Sequence, residues 1–152
     1  VLPSLLLMML ISCTTQDICN GDNDSDLVAR FKVAGSVPVA DTIMPGVTLF
    51  GIREGQSDSL LYDSITLSRI VLPLDPHNDH SRFVLSINDQ SDTIRINHTT
   101  ETYLLSYTCG FATLFTVQGI DHTERMVNDI EIINAVIDAE LEQNEEHLWI
   151  YF

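Results

Sequence analysis

The chain has 152 residues, 45% of them hydrophobic, with 22 acidic against 7 basic side chains and a formal net charge of −15. That length fits a single domain with a normal core, and the apolar fraction is too high for a disordered chain. The charge argues against nucleic acid and against docking on anionic lipid through a basic patch, because both need a Lys/Arg surface. The expected partners therefore include no nucleic acid.

Residues 1–12 read VLPSLLLMMLIS. The unbroken apolar run Leu5 to Ile11 has the length of a signal-peptide core and falls short of the roughly 20 residues a membrane helix needs. No basic segment precedes it, so either the start is truncated or Val1 records an unusual start codon. Leu10-Ile11-Ser12-Cys13 resembles a bacterial lipobox, in which the cysteine thiol is diacylated and the peptide is cut before it. Two or three acyl chains would anchor the protein stably, whereas one would not. The alternatives are an ordinary secretory signal or a buried N-terminal strand. On the lipobox reading, residues 1–12 are the signal, 13–26 a polar, turn-rich tether and 27–152 the folded domain.

Without Cys13, an even pair of cysteines remains, Cys19 and Cys109. An exported chain permits a disulfide, which would close a long loop and is worth on the order of 4–5 kcal/mol in the chain-entropy model. Two free buried thiols are the alternative. No CxxC spacing occurs, so a zinc ribbon or thioredoxin-like motif is excluded.

The rest of the chain reads as strands. Leu27, Ala29, Phe31 and Val33 alternate with Arg30 and Lys32, as in a half-buried strand with the basic residues outward. Val47 to Ile52 is apolar on both faces, with Gly51 marking a bulge or a close approach. Short candidates follow at Leu60 to Tyr62 and Ile70 to Leu74. Arg82 to Ile87 and Thr93 to Asn97 alternate on either side of a turn at Asn88 to Asp92, the clearest hairpin in the chain. Tyr103, Leu105, Tyr107 and Cys109 share one face, and Phe111, Thr113, Phe115 and Val117 another. Met126 to Gln143 fits both a helix, from Met126, Ile130, Ile133, Ile137 and Leu141, and strands, from its alternation and its Ile/Val content. His147 to Phe152 closes the chain as a strand, with Leu148, Ile150 and Phe152 on one side. The fold class expected is all-β: a single antiparallel β-sandwich, immunoglobulin-like or related, of about seven to nine strands.

The lipobox cysteine, Asp17-Ile18-Cys19, Gly51-Ile52, Leu72-Pro73-Leu74, Cys109-Gly110-Phe111 and Leu148-Trp149-Ile150-Tyr151 together resemble a family of small Bacteroidota lipoproteins catalogued only as a domain of unknown function. The resemblance covers nearly the whole chain. It implies an exported, lipid-anchored, mostly β domain, with the early cysteine as partner of the one in Cys-Gly-Phe. It also favours strand over helix for Ile130 to Val136. It implies no reaction.

Enzyme signatures are missing from the sequence: no GxSxG elbow, HExxH or phosphate-binding glycine loop occurs. The histidines, His77, His80, His98, His122 and His147, all fall in or beside expected loops. Asp75, His77, Asp79 and His80 are the sharpest metal candidates, since two imidazoles and two carboxylates lie within six residues; a polar loop is the plainer reading. Asp22-Asn23-Asp24-Ser25-Asp26 begins like a calcium loop but has Leu27 at the sixth position and Val33 at the twelfth, which excludes an EF-hand. No cofactor is expected. Four segments spell Asp, then Ser/Thr, then an apolar residue, with Thr42, Ser59, Ser64 and Thr93 in the middle. These resemble O-glycosylation acceptors of exported Bacteroidota proteins, although Asp-Ser and Asp-Thr also open strands by bonding turn backbone.

The expected function is that of a non-enzymatic envelope lipoprotein that binds an envelope protein or glycan, or serves structurally. It would sit on the bacterial outer membrane, on the periplasmic face, since only Asp17 is acidic just after Cys13. An exposed patch around Trp149 and Tyr151 would favour binding if that strand is a sheet edge. A carbohydrate-binding accessory module is the alternative, and coplanar exposed aromatics would favour it.

Overall fold

A computed structural model of the chain describes residues 25–139 and 145–152. The expectations for residues 1–12, Cys13 and Cys19 lie outside the described residues. Ten strands occur among the described residues: β1 Asp26–Lys32, β2 Met44–Ile52, β3 Ser59–Leu67, β4 Arg69–Pro73, β5 His80–Ile87, β6 Gln90–Ser106, β7 Gly110–His122, β8 Asp129–Ile132, β9 Val136–Ile137 and β10 Leu148–Tyr151. They form a four-stranded sheet, β4-β1-β10-β8, and a six-stranded sheet, β3-β2-β5-β6-β7-β9. Leu27, Phe31, Ile70, Leu148 and Ile150 of the smaller sheet share one core with Val47, Leu49, Phe83, Leu85 and Ile96 of the larger. The all-β sandwich is the observed architecture.

It differs from expectation in number and in one pairing. Ten strands occur among the described residues because residues 126–139 contribute two short ones, β8 and β9, and no helix. Their separation follows the pattern: Ile130 of β8 pairs with Ile150, while Ile137 of β9 pairs with Phe115 of the other sheet. The chain therefore crosses from one sheet to the other between them. The sandwich is also not wholly antiparallel, since β1 and β10 run parallel, Ala29 beside Leu148 and Phe31 beside Ile150. These two strands are the interior of the small sheet, so Trp149 and Tyr151 do not lie on an edge.

That interior position explains β1. Leu27, Ala29 and Phe31 face the core as expected, but Lys32 is only 7% exposed and Val33 is the exposed residue. Lys32 Nζ sits 4.2 Å from the centre of the Trp149 ring and donates to Asp41 Oδ1 at 2.5 Å. Arg30 Nε pairs with Glu146, and Trp149 Nε1 donates to the other oxygen of that carboxylate at 2.7 Å. A basic stem lying on an aromatic face with its head ion-paired is thus covered without losing its partners.

The β5–β6 hairpin turns on two residues. Asn88 and Asp89 both have positive φ, at 50° and 63°, and Ile87 pairs directly with Gln90. Asn and Asp tolerate that conformation, and two such residues match the twist of the flanking strands. The turn is therefore shorter than the expected Asn88 to Asp92, and Asp92 belongs to β6. The segments Thr93 to Asn97 and Tyr103 to Cys109 are not separate strands. Both lie on the long β6–β7 hairpin, whose ladder runs from Ile94–His122 to Ser106–Gly110. β5 starts opposite Asn97, so the hairpin projects past that end of it. Gly51 marks neither a bulge nor a close approach: a Cβ there would meet Leu61 Cδ1 and Phe83 Cε1 at 3.8 Å, an ordinary contact, and the irregularities of β2 fall between Met44 and Phe50.

Candidate functional site

At one end of the sandwich a cleft of about 440 Å³ opens between the β2–β3 turn and the β4–β5 loop. Arg53, Glu54, Gln56, His77, Asn78, His80 and Arg82 give it polar walls, and Ile52, Leu61, Pro73, Pro76 and Phe83 line its apolar side. Loops held by a rigid sheet are where binding sites concentrate, and mixed apolar and polar lining suits a polar ligand.

The loop between β4 and β5 is built by Asp75. Its Oδ1 accepts from the His77 backbone N–H at 2.9 Å and its Oδ2 from Asn78 Nδ2 at 2.7 Å. The backbone hydrogen bond from His77 is the main reason the Asp75 carboxyl stays below its ordinary range, against the effect of burial. Asp75's own N–H donates to Ser81 Oγ at 2.8 Å. Ser81 Oγ lies 2.9 Å from His98 Nε2. Oγ keeps one proton and a second lone pair beside the one that accepts from Asp75, so which of Oγ and Nε2 donates follows the tautomer of His98. His98 is 2% exposed, packs edge-to-face on Phe115, and its Nδ1 has no hydrogen-bond partner. Burial pushes its pKa below the ordinary value. His98 is thus neither in nor beside a loop. It lies within β6, in the series of inward residues Ile94, Ile96, His98, and the alternation of that strand was the signal that could have placed it.

The four metal candidates do not converge. Asp75 is turned into its own loop. His80 Nδ1 meets Asp79 Oδ1 at 2.7 Å, and its Nε2 lies 3.7 Å from Glu54. The bond from His80 is the main cause holding the Asp79 carboxyl down. No group of three metal-ligating side chains comes together among the described residues. The residues are near one another in sequence, but only Asp79 and His80 meet through their side chains, while Asp75 bonds within its own loop.

Charge at the cleft is mixed. Arg82 Nη2 lies 3.6 Å from Glu54 Oε1. Arg95 stands directly across the β5–β6 pair from Arg82, and its Nε donates to the neutral Asn97 Oδ1 at 3.1 Å. Like charges directly opposite each other cost stability. Three of the chain's 7 basic residues, Arg53, Arg82 and Arg95, therefore gather at this end.

The glycosylation candidates separate. Thr42 and Ser59 are half-buried, whereas Ser64 and Thr93 are exposed. Ser64 and Thr93 lie inside β3 and β6 and not at loop edges. Two of the preceding aspartates have structural work: Asp41 pairs with Lys32 and Arg30, and Asp92 is a buried acceptor of four hydrogen bonds. The aromatic pairs among the described residues, Phe31–Phe152 and His98–Phe115, are edge-to-face. Tyr107, 99% exposed, stands at the turn of the β6–β7 hairpin beside Cys109, whose backbone N–H donates to Ser106 Oγ and which has a further interaction of its own.

Compared with known protein families, the chain matches over residues 46–152 the model of a family of unknown function, DUF6452. No curated protein and no solved structure matches it.

Proposed function

The chain belongs to the DUF6452 family, a family of unknown function, and from that premise we propose that it is an exported, lipid-anchored envelope protein whose β-domain binds a ligand and performs no turnover. The cleft between the β2–β3 turn and the β4–β5 loop carries the binding part of this reading. Ser81 lines the cleft and meets His98, which does not line it, yet Ser81 Oγ already accepts from the Asp75 N–H and His98 Nδ1 has no partner to orient it. A nucleophile needs both a free hydroxyl and an oriented base, so the pair suits structure better than catalysis.

The anchor reading rests on the apolar run ending in Ser12-Cys13. The outer membrane, periplasmic face, is its proposed place, and an envelope protein or glycan its partner. A Cys19–Cys109 bridge fits the local geometry. Ser25 Oγ bonds the Thr113 carbonyl, which delivers the chain to β7 four residues from Cys109. Four strand residues span about 13 Å, and the six residues from Cys19 to Ser25 reach about 20 Å when extended. A glycan ligand gains no support from the aromatic pairs, which are not coplanar.

The test is intact and peptide mass spectrometry of the protein from native membranes, with and without reduction. A diacyl or triacyl mass on Cys13 and a linked Cys19–Cys109 peptide are expected. An unmodified soluble chain with three free thiols refutes the reading.

A further inference from the structure

Where the chain enters the fold sets which way the cleft faces. Asp26, the first residue of β1, pairs with Pro73, and Pro73 lines the cleft. The β6–β7 hairpin projects past β5 at this same end, and Ser25 is bonded to it at Thr113. The β5–β6 turn at Asn88–Asp89 and Arg125, whose N–H bonds Asp92, mark the opposite end. The eight residues of β5 put the two ends about 25 Å apart.

An anchor on Cys13 therefore pulls on the cleft end. Ser25 is twelve residue steps from Cys13, about 40 Å at full extension, and a Cys19–Cys109 bridge would shorten the free tether to six steps, about 20 Å. A tether of that length is shorter than the sandwich needs to present its far end to the bilayer without turning over.

The cleft's chemistry suits what it would meet there. Arg53 makes no ion pair among the described residues, and Arg82 reaches Glu54 only at 3.6 Å. Guanidinium groups match phosphate oxygens, and the Glu54 carboxylate matches an ammonium. A net charge of −15 keeps the whole molecule off an anionic surface. A phosphate that carries its own ammonium escapes that repulsion. We propose that the cleft faces the membrane and takes the phosphate and primary ammonium of a phosphatidylethanolamine headgroup, Arg53 and Arg82 on the phosphate and Glu54 on the ammonium, whose N–H donors a quaternary choline lacks. The orientation rests on the anchored reading and the Cys19–Cys109 bridge above; the headgroup assignment does not.

Two measurements separate these parts. The lipidated chain is placed in vesicles of phosphatidylethanolamine and phosphatidylcholine carrying a headgroup quencher, with a fluorophore on Gln56→Cys or on Asp89→Cys and the unsubstituted chain as labelling background. Severalfold stronger quenching at Gln56→Cys is expected; equal or reversed quenching overturns the orientation. The Cys13→Ser chain is then titrated with the same vesicles and with phosphatidylcholine alone, the apolar N-terminal run being common to every arm. Binding at least tenfold tighter to the mixed vesicles is expected. The Arg53→Gln/Arg82→Gln double variant should lose that preference, and Arg125→Gln at the far end should keep it. Equal binding to both lipids, an unchanged double variant, or an Arg125→Gln loss as large as that of the double variant overturns the assignment. Free phosphoethanolamine binding as tightly as the vesicles also overturns it, since the ligand would then be soluble. If Cys13 proves unlipidated, the anchored reading fails while the vesicle titration still judges the cleft.

Discussion

Asp92 is a buried carboxylate that takes four hydrogen bonds, and Asp92→Asn tests how far the fold depends on it. The residue is 1% exposed. Oδ1 accepts from Thr123 Oγ1 at 2.6 Å and from the Arg125 N–H at 2.9 Å; Oδ2 accepts from the Met126 and Val127 N–H groups at 2.8 and 2.9 Å. Burial alone would raise its pKa, but the Thr123 hydroxyl and the three backbone donors outweigh that and bring it from 3.8 to about 2. Through linkage the shift corresponds to about 2 kcal/mol of stability for the ionised form. Asparagine removes the charge and turns an NH₂ toward backbone N–H groups, leaving buried donors unpaired at about 1–3 kcal/mol each. The variant should be less stable by about 4 kcal/mol at pH 7. Because the folded pKa is depressed, the wild type's advantage is present above pH 3.8 and is lost as pH falls through about 2. Urea unfolding of both proteins at pH 7, 5, 3 and 2 should show the gap shrinking by about 1 kcal/mol at pH 3 and about 2 kcal/mol at pH 2. A gap under about 1 kcal/mol at pH 7, or one that stays constant down to pH 2, would refute the reasoning.

Three further outcomes are expected. Burial holds the pKa of both His98 and His147 below 6.5, and His147 Nδ1 accepts the Val28 N–H at 3.0 Å; the stability of their neutral forms is present above pH 6.5 and lost as pH falls through the lower folded values. Imidazole NMR titration should find both below 6.5, and a midpoint above it for either contradicts the burial argument. Gly110 has φ +79°, and a Cβ added there would meet nothing within 4 Å, so Gly110→Ala should cost about 1 kcal/mol from backbone strain alone, read by thermal unfolding; a neutral substitution would show that the turn adapts. Phe31 is fully buried and meets Phe152 edge-to-face at 5.2 Å, so Phe31→Ala should cost about 3–5 kcal/mol in urea without changing the slope.

Much of the fold is legible in the sequence because half-buried strands alternate. β5 reads as buried Ser81, Phe83, Leu85 and Ile87 against outward Arg82, Val84 and Ser86, and the structure places them so. Alternation fails where a strand is covered on both sides or crosses between sheets. The basic residues of β1 look solvent-facing until Trp149, more than a hundred residues away, is laid beside them by the parallel pairing. Met126 to Gln143 confounds helix and strand because Ile130 and Ile137 serve different sheets, so no single period describes the segment. The site was less legible still. The sequence marks the Asp75 to His80 loop by its density of polar groups, but the other wall of the cleft, Arg53, Glu54 and Gln56, carries no motif and is brought to it only by the pairing of β2 with β5.

The same distinction decides what Asp-Ser/Thr-apolar triplets mean. Asp92-Thr93-Ile94 matches the acceptor pattern letter for letter, yet Asp92 is the buried cap of the segment after β7, and Ile94 is core. Asp41-Thr42-Ile43 likewise supplies the carboxylate that allows Lys32 to lie against Trp149. In both, packing accounts for the aspartate without any modification of the next residue. Asp63-Ser64-Ile65 has no such account: Asp63, Ser64 and Ile65 are all exposed on the edge strand β3, and Ser64 is held at φ 51° by a strand irregularity. Of the two exposed candidates, Ser64 and Thr93, Ser64 is therefore where a glycan on the native protein discriminates modification from folding. A glycopeptide there with Thr93 unmodified would separate the two causes of the repeated pattern, whereas bare peptides at all four sites would leave turn and packing chemistry as its whole explanation.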